Sequence, residues 1–225
     1  MNWIQSAWCI YKKDLLIERK SGQIVPTTFV FALLVVVLSA FAFDLNKAAA
    51  TTTGAGALWI AICFAGVLAV SRSYLKERDM GVWSGLLLTP ASKTGFYLGK
   101  MMGLSTFLLL VAILLLPLVE LFFHVPLLSH LHLVAPVLLL GILGFCAAGA
   151  LFGAMIVRTS VRDLVLGIIL LPLVSPVLIL CSKATQLAVS GASLGAVMEY
   201  LQLVAVVDIL FLVIGMWLFE ALMED

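Results

Sequence analysis

The chain has 225 residues, of which 64% are hydrophobic and 11% charged, with a formal net charge of +1 and a mean hydropathy of +1.21. Soluble domains carry roughly 45–50% apolar residues, so this composition excludes a soluble globular protein. The near-neutral charge excludes a basic nucleic-acid-binding surface. What remains is an all-α integral membrane protein read in apolar stretches of about 20 residues, each long enough to cross roughly 30 Å of hydrocarbon.

The first element, residues 2–20, places Trp3, Ile4, Ala7, Trp8, Tyr11, Leu15 and Ile17 at spacings of three and four. Lys12, Lys13, Asp14, Glu18 and Arg19 fall largely on the other side. The pattern predicts an amphipathic helix in the membrane interface with its aromatic edge toward lipid, or packed on the ends of the spans. The first span follows at 24–43. Ala40-Phe41-Ala42 offers small residues of the kind found at a signal-peptide cleavage site, but the apolar run is long and preceded by helix-like sequence, so it reads as a retained span.

A second span, 54–70, runs into a charged island at 71–100 that contains Arg72, Lys76, Glu77, Arg78 and Asp79. Behind these charges Met80, Trp83, Leu86, Leu87 and Leu88 form the apolar face of a short helix, closed by Pro90. An apolar wedge flanked by charges that set register is the chemistry of a segment seated in a partner's groove. The glycines of Gly95-Phe96-Tyr97-Leu98-Gly99-Lys100 imitate a phosphate loop. They are one residue too close, and Met101 stands where Ser or Thr holds magnesium. No ATP site is legible in the chain.

The island carries a resemblance. Ser71-Arg72-Ser73-Tyr74, Glu77-Arg78-Asp79, Gly81, Gly85-Leu86-Leu87-Leu88, Pro90 and Leu98-Gly99-Lys100 resemble the CcmB family, heme exporter protein B of the cytochrome c maturation system. The resemblance covers nearly the whole chain, although its specificity lies in this loop. It implies a six-span permease of the ABC-2 exporter type, forming one domain over 1–225, whose cytoplasmic loop docks a coupling helix on a separate ATPase chain. Glu77, Arg78, Asp79, Met80, Trp83, Leu86, Leu87 and Leu88 are then the ATPase-coupling residues. ATP belongs to the partner, heme is the possible cargo, and a companion membrane subunit handles heme. A homodimer in the bacterial inner membrane is implied as well. Ser84 departs from the family pattern, where relatives carry Glu.

The third span, 101–123, contains Pro117 and the acid Glu120. Beyond it His124, His130 and His132 lie on one loop, and imidazole is a heme-iron ligand. All three are candidate heme-binding residues; no catalytic residue or metal site is assigned.

The fourth span, 133–157, carries Gly149 and Gly153 on a small-xxx-small face suited to close helix approach, within a chain or between two copies. The fifth, 164–180, holds Pro172 and Pro176, each of which removes a backbone hydrogen bond.

Residues 181–200, rich in Ala, Ser and Gly, are expected to dip into the membrane as a re-entrant element. They contain Gly191-Ala192-Ser193-Leu194-Gly195, the G-x-S-x-G spelling of a serine hydrolase elbow. A membrane hydrolase using Ser193 is therefore the competing class, and a permease exporting another substrate is the competing cargo reading. The last span, 201–222, contains Asp208. Asp208 and Glu120 are both expected toward the outer ends of their spans, lining a cavity or bonding a neighbouring helix.

Charge sets the orientation. With the N-terminus inside, Lys12, Lys13, Arg19, Lys20, Arg72, Lys76, Arg78, Lys93, Lys100, Arg158 and Arg162 are cytoplasmic, and only Lys47 and Lys183 are outside. An even number of spans returns the C-terminus to the cytoplasm. Cys9, Cys63, Cys146 and Cys181 have neither a C-x-x-C nor paired spacing, so they read as small apolar fillers.

Overall fold

The computed structural model describes residues 2–43, 47–79, 92–158 and 164–222. These form seven helices, with no strand among the described residues: α1 (Trp3–Ser21), α2 (Ile24–Ala42), α3 (Lys47–Asp79), α4 (Lys93–Phe123), α5 (Leu131–Arg158), α6 (Leu164–Val189) and α7 (Leu194–Leu222). The last six are long and apolar enough to cross a membrane.

The helices outrun the spans that hydropathy marks. The fourth helix starts at Lys93 instead of 101 and is 31 residues long, about 46 Å at 1.5 Å per residue. That matches the roughly 40–45 Å of a bilayer with its headgroups. Once nucleated, a helix gains a hydrogen bond for each added residue, so it continues through polar interfacial positions where an apolar window stops.

The same physics overturns the expected re-entrant element at 181–200. Helix α6 continues to Val189 and α7 begins at Leu194. The turn between them uses Gly191 at φ 76°, a left-handed conformation that costs glycine little. Two continued helices satisfy their backbone groups internally, as hydrocarbon demands.

Close approach on small residues builds the bundle, with α3 and α5 the most enclosed spans. A Cβ on Gly153 would lie 2.4 Å from the Tyr74 ring, and one on Gly149 would lie 2.8 Å from Val70. The small-xxx-small face of α5 is therefore filled by α3 of the same chain.

Polar side chains then fix the register of the packed helices. Tyr74 and Tyr97 donate their hydroxyls to the backbone oxygens of Ala150 and Ala147 at 2.6 and 2.9 Å, and Trp59 Nε1 donates to Thr185 Oγ1 at 2.9 Å. In α6, Ser175 Oγ donates to the Pro172 oxygen at 2.8 Å. That is the carbonyl Pro176 cannot serve, because proline has no N–H.

Candidate functional site

Helix α1 is inverted relative to a soluble amphipathic helix. Trp3, Ile4, Trp8 and Leu16 are each more than half exposed, whereas Ser6, Asp14 and Glu18 are buried. An exposed apolar face suits lipid. The buried polar face lies along α4, and glycines make the contact possible. A Cβ on Gly95 would meet Ser6 Cβ at 2.6 Å, one on Gly99 would meet the Ala7 oxygen at 2.6 Å, and one on Gly103 would meet Asp14 Oδ2 at 3.3 Å. The glycines that imitate a phosphate loop are thus one stripe of an α4 groove that receives α1.

Below that stripe the buried charges converge. Lys100, on α4 and 1% exposed, places its Nζ 3.0 Å from Asp14 Oδ2 of α1 and 3.0 Å from Glu77 Oε1 of α3. The same ammonium donates to Ser73 Oγ at 3.0 Å and lies 5.1 Å above the Tyr74 ring. Its hydrogen bond goes to Ser73, while the two carboxylates balance its charge as ion pairs, Asp14 Oδ2 accepting no hydrogen bond among the described residues. Lys13 of α1 lies 3.1 Å from Asp14 Oδ1 and also pairs with Glu77. Two lysines and two carboxylates sum to zero charge, the condition under which buried ions are tolerated. Burial pulls the Lys13 amine down, but the facing carboxylates of Glu77 and Asp14 outweigh it and hold it above the ordinary lysine value.

The cluster sits beside the two ends of the 80–91 segment, which lies outside the described residues. Glu77 lies near the end of α3 and Ser92 just before α4, with 80–91 between them. Helix α1 holds both ends: Lys13 binds Glu77, and Ser6 Oγ accepts from Ser92 N at 3.3 Å. Ser92 in turn caps α4, its Oγ accepting from Gly95 N at 3.3 Å. At the far end of α1, Gly22 at φ 54° closes the helix. Glu18 Oε1 accepts from the backbone N–H of Ile24 and Val25 at 2.8 and 3.0 Å. A carboxylate on those free N–H groups stabilises the start of α2.

The expected coupling residues divide. Glu77 is 3% exposed and committed to the lysines. Arg78 and Asp79 close α3, their side chains outside the described residues. Met80, Trp83, Ser84, Leu86, Leu87 and Leu88 also lie outside the described residues.

The two intramembrane acids separate as well. Glu120 is three residues from the end of α4, and its Oε2 accepts from Leu128 N at 2.7 Å, bracing the 124–130 loop. Asp208 was expected near an outer end, but with α7 beginning at Leu194 it lies at the helix midpoint. It is 5% exposed, and neither carboxylate oxygen has a hydrogen-bond partner among the described residues. The absence of a side chain at Gly144 makes room for it, since a Cβ there would lie 1.8 Å from Oδ1.

His124 is exposed and ends α4 in a left-handed conformation. The His130 ring Nδ1 lies 3.0 Å from the Pro126 oxygen, and His132 is exposed in the first turn of α5. Among the described residues no group of three or more His, Cys, Asp or Glu side chains is placed to hold a metal ion. Ser193 is exposed in the turn before α7, its backbone oxygen accepting from Ala196 N. Helices flank it where a hydrolase elbow has a strand.

Sequence reasoning missed Lys13, Asp14, Ser73 and Lys100. One signal was available: Gly95, Gly99 and Gly103 recur every four residues, the stripe that admits a helix.

The chain matches the family model described as CcmB protein over residues 5–223. It belongs to the CcmB family. No curated protein matches it. CcmB membership together with the six apolar helices makes the chain a multi-pass membrane permease of the heme-export system of c-type cytochrome biogenesis. As a CcmB protein it is a component of an ABC transporter that works with other subunits.

Proposed function

We propose that the chain converts ATP hydrolysis by a separate ATPase subunit into movement of its spans, and that the Lys100 cluster is the joint. The 80–91 segment carries the docking residues Met80, Trp83, Leu86, Leu87 and Leu88, with Arg78 and Asp79 beside them. Two copies of the permease and two of the ATPase assemble in the bacterial inner membrane with a companion heme-handling subunit. Both termini face the cytoplasm, as the excess of Lys and Arg there requires. ATP is bound by the ATPase, and heme is the cargo handled on the outer side. His124 and His130 lie on the connection at that side and His132 in the first turn of α5, and all three are the candidate residues for meeting it.

The carrying observation is that one buried lysine ties α1 and α3 to α4 beside the ends of that segment. A push on the segment therefore acts on three helices together. Such a push can bias the permease only if the contact differs between ATPase states, and rigid helices then carry it outward. Trp83→Ala combined with Leu87→Asp tests the docking face. The ATPase is expected to stop co-purifying and cytochrome c formation to cease, with membrane insertion intact. Undiminished co-purification overturns the proposal.

A further inference from the structure

Asp208 sits where four spans meet. On α5, Gly141 and Gly144 open a notch on one face, since residues three apart on a helix lie one above the other. Trp59 of α3 and Cys181 of α6 fill the Gly141 side, 2.4 and 2.6 Å from where its Cβ would lie, and Asp208 Oδ1 of α7 takes the Cβ place of Gly144. Trp59 donates to Thr185, which donates in turn to the Cys181 backbone oxygen at 2.8 Å. The polar neighbours thus bond one another and leave the carboxyl out. Among the described residues no hydrogen bond or ion pair reaches either of its oxygens, and both are closed to water.

None of the groups around it carries a positive charge. Cys181 faces it from α6, and Cys146 is buried on α5 two positions from Gly144. Tyr97 of α4 reaches α7 at Gly215, its hydroxyl donated to the Ala147 oxygen. On α7 itself Glu199 and Glu220 are exposed, nine and twelve positions away. A buried carboxylate with no cation beside it is so costly that the group takes up a proton instead. The protonated form has an O–H to donate, and the bare α5 backbone at Gly144 is the surface it meets. Helix α7 holds the bundle by one stripe, Val197, Val204, Asp208, Gly215 and Phe219, with the acid at its centre. We propose that Asp208 is a proton-binding site that fastens α7 to α5. Separation of the two spans admits water, to which the carboxyl gives its proton and becomes a carboxylate. Any movement that frees α7 therefore releases one proton, and by linkage a proton taken up favours the packed arrangement. The site does not depend on the ATPase docking proposed above.

Infrared spectroscopy of the full chain in detergent reads the proton directly. An ordinary aspartic acid, with a pKa of about 3.9, is protonated in about one molecule in a thousand at neutral pH. The spectrum at neutral pH is expected to contain the C=O stretch of a protonated carboxyl that Asp208→Asn lacks, at about a hundredfold or more above that fraction. The hold on α7 is read from unfolding in mixed micelles as pH is raised. The folded chain keeps a proton that the unfolded chain has lost, so stability falls as pH rises above the ordinary carboxylate range, until the folded chain loses the proton too. Over that window the unfolding equilibrium of the unmodified chain is expected to shift toward the unfolded state about tenfold per pH unit relative to Asp208→Asn. Absence of the carboxyl band overturns the proposal, and so does a ratio of the two equilibria that does not change with pH.

Discussion

Lys100 Nζ and Glu77 Oε1 lie 3.0 Å apart with both side chains almost wholly buried, joining α4 to α3 on either side of residues 80–91. Removing one member of a buried pair strands the other, which costs about 3–5 kcal/mol. Lys100→Met is therefore expected to lower thermal stability in detergent by roughly that much. Adding Glu77→Gln recovers part of the loss because the stranded acid is gone. An additive double variant contradicts the direct pairing. The lysine partner Lys13 sets the alkaline limit. Its raised folded value means that its contribution is complete below the ordinary lysine range and is lost only as pH rises past it. Lys13 therefore stays charged at neutral pH.

Gly99 lies against the α1 backbone, and a Cβ there would come 2.6 Å from the Ala7 oxygen. Gly99→Leu wedges α1 away from α4, at a cost of about 1–3 kcal/mol as overpacking. We expect Cys9, which is exposed on α1, to gain mobility when spin-labelled. Cytochrome c formation falls at the same time. An unchanged spectrum shows that α1 is not held by the stripe.

Asp208 is a mid-helix acid without a hydrogen-bond partner among the described residues. A central acid costs about 2.5–3.5 kcal/mol on the insertion scale, so Asp208→Asn is expected to raise the melting temperature of the isolated chain. A lowered melting temperature contradicts the absence of a stabilising partner.

Much of the fold was legible from local signals. Six apolar runs mark the spans, and the spacing of Trp3, Ile4 and Trp8 marks α1 and its exposed apolar edge. The buried face of α1 was not legible, because Asp14 is buried by Lys100, a residue 86 positions away. No window along the chain contains both. Asp208 was misplaced for a different reason. Its span was started after Glu199, and interfacial acids do not end a helix, so the true midpoint was displaced. Gly149 and Gly153 were correctly marked as a close-packing face, but pattern alone could not choose between a second copy and α3. The Gly95–Gly99 spacing imitates a phosphate loop, and only with Gly103 does it mark a helix groove.

The central claim is that the charged cluster transmits the stroke of the ATPase. Its most direct test replaces the cluster with apolar residues of similar size: Lys13→Met, Asp14→Leu, Glu77→Leu and Lys100→Met together. Apolar replacement of a buried ion network is often neutral or stabilising, so the chain is expected to insert, fold and retain the ATPase. The measurement is cytochrome c formed per ATP hydrolysed in the assembled complex. A fall of at least about tenfold, equivalent to roughly 1.4 kcal/mol of lost coupling, with ATP hydrolysis preserved, is the predicted result. A ratio equal to that of the unmodified chain would contradict the account.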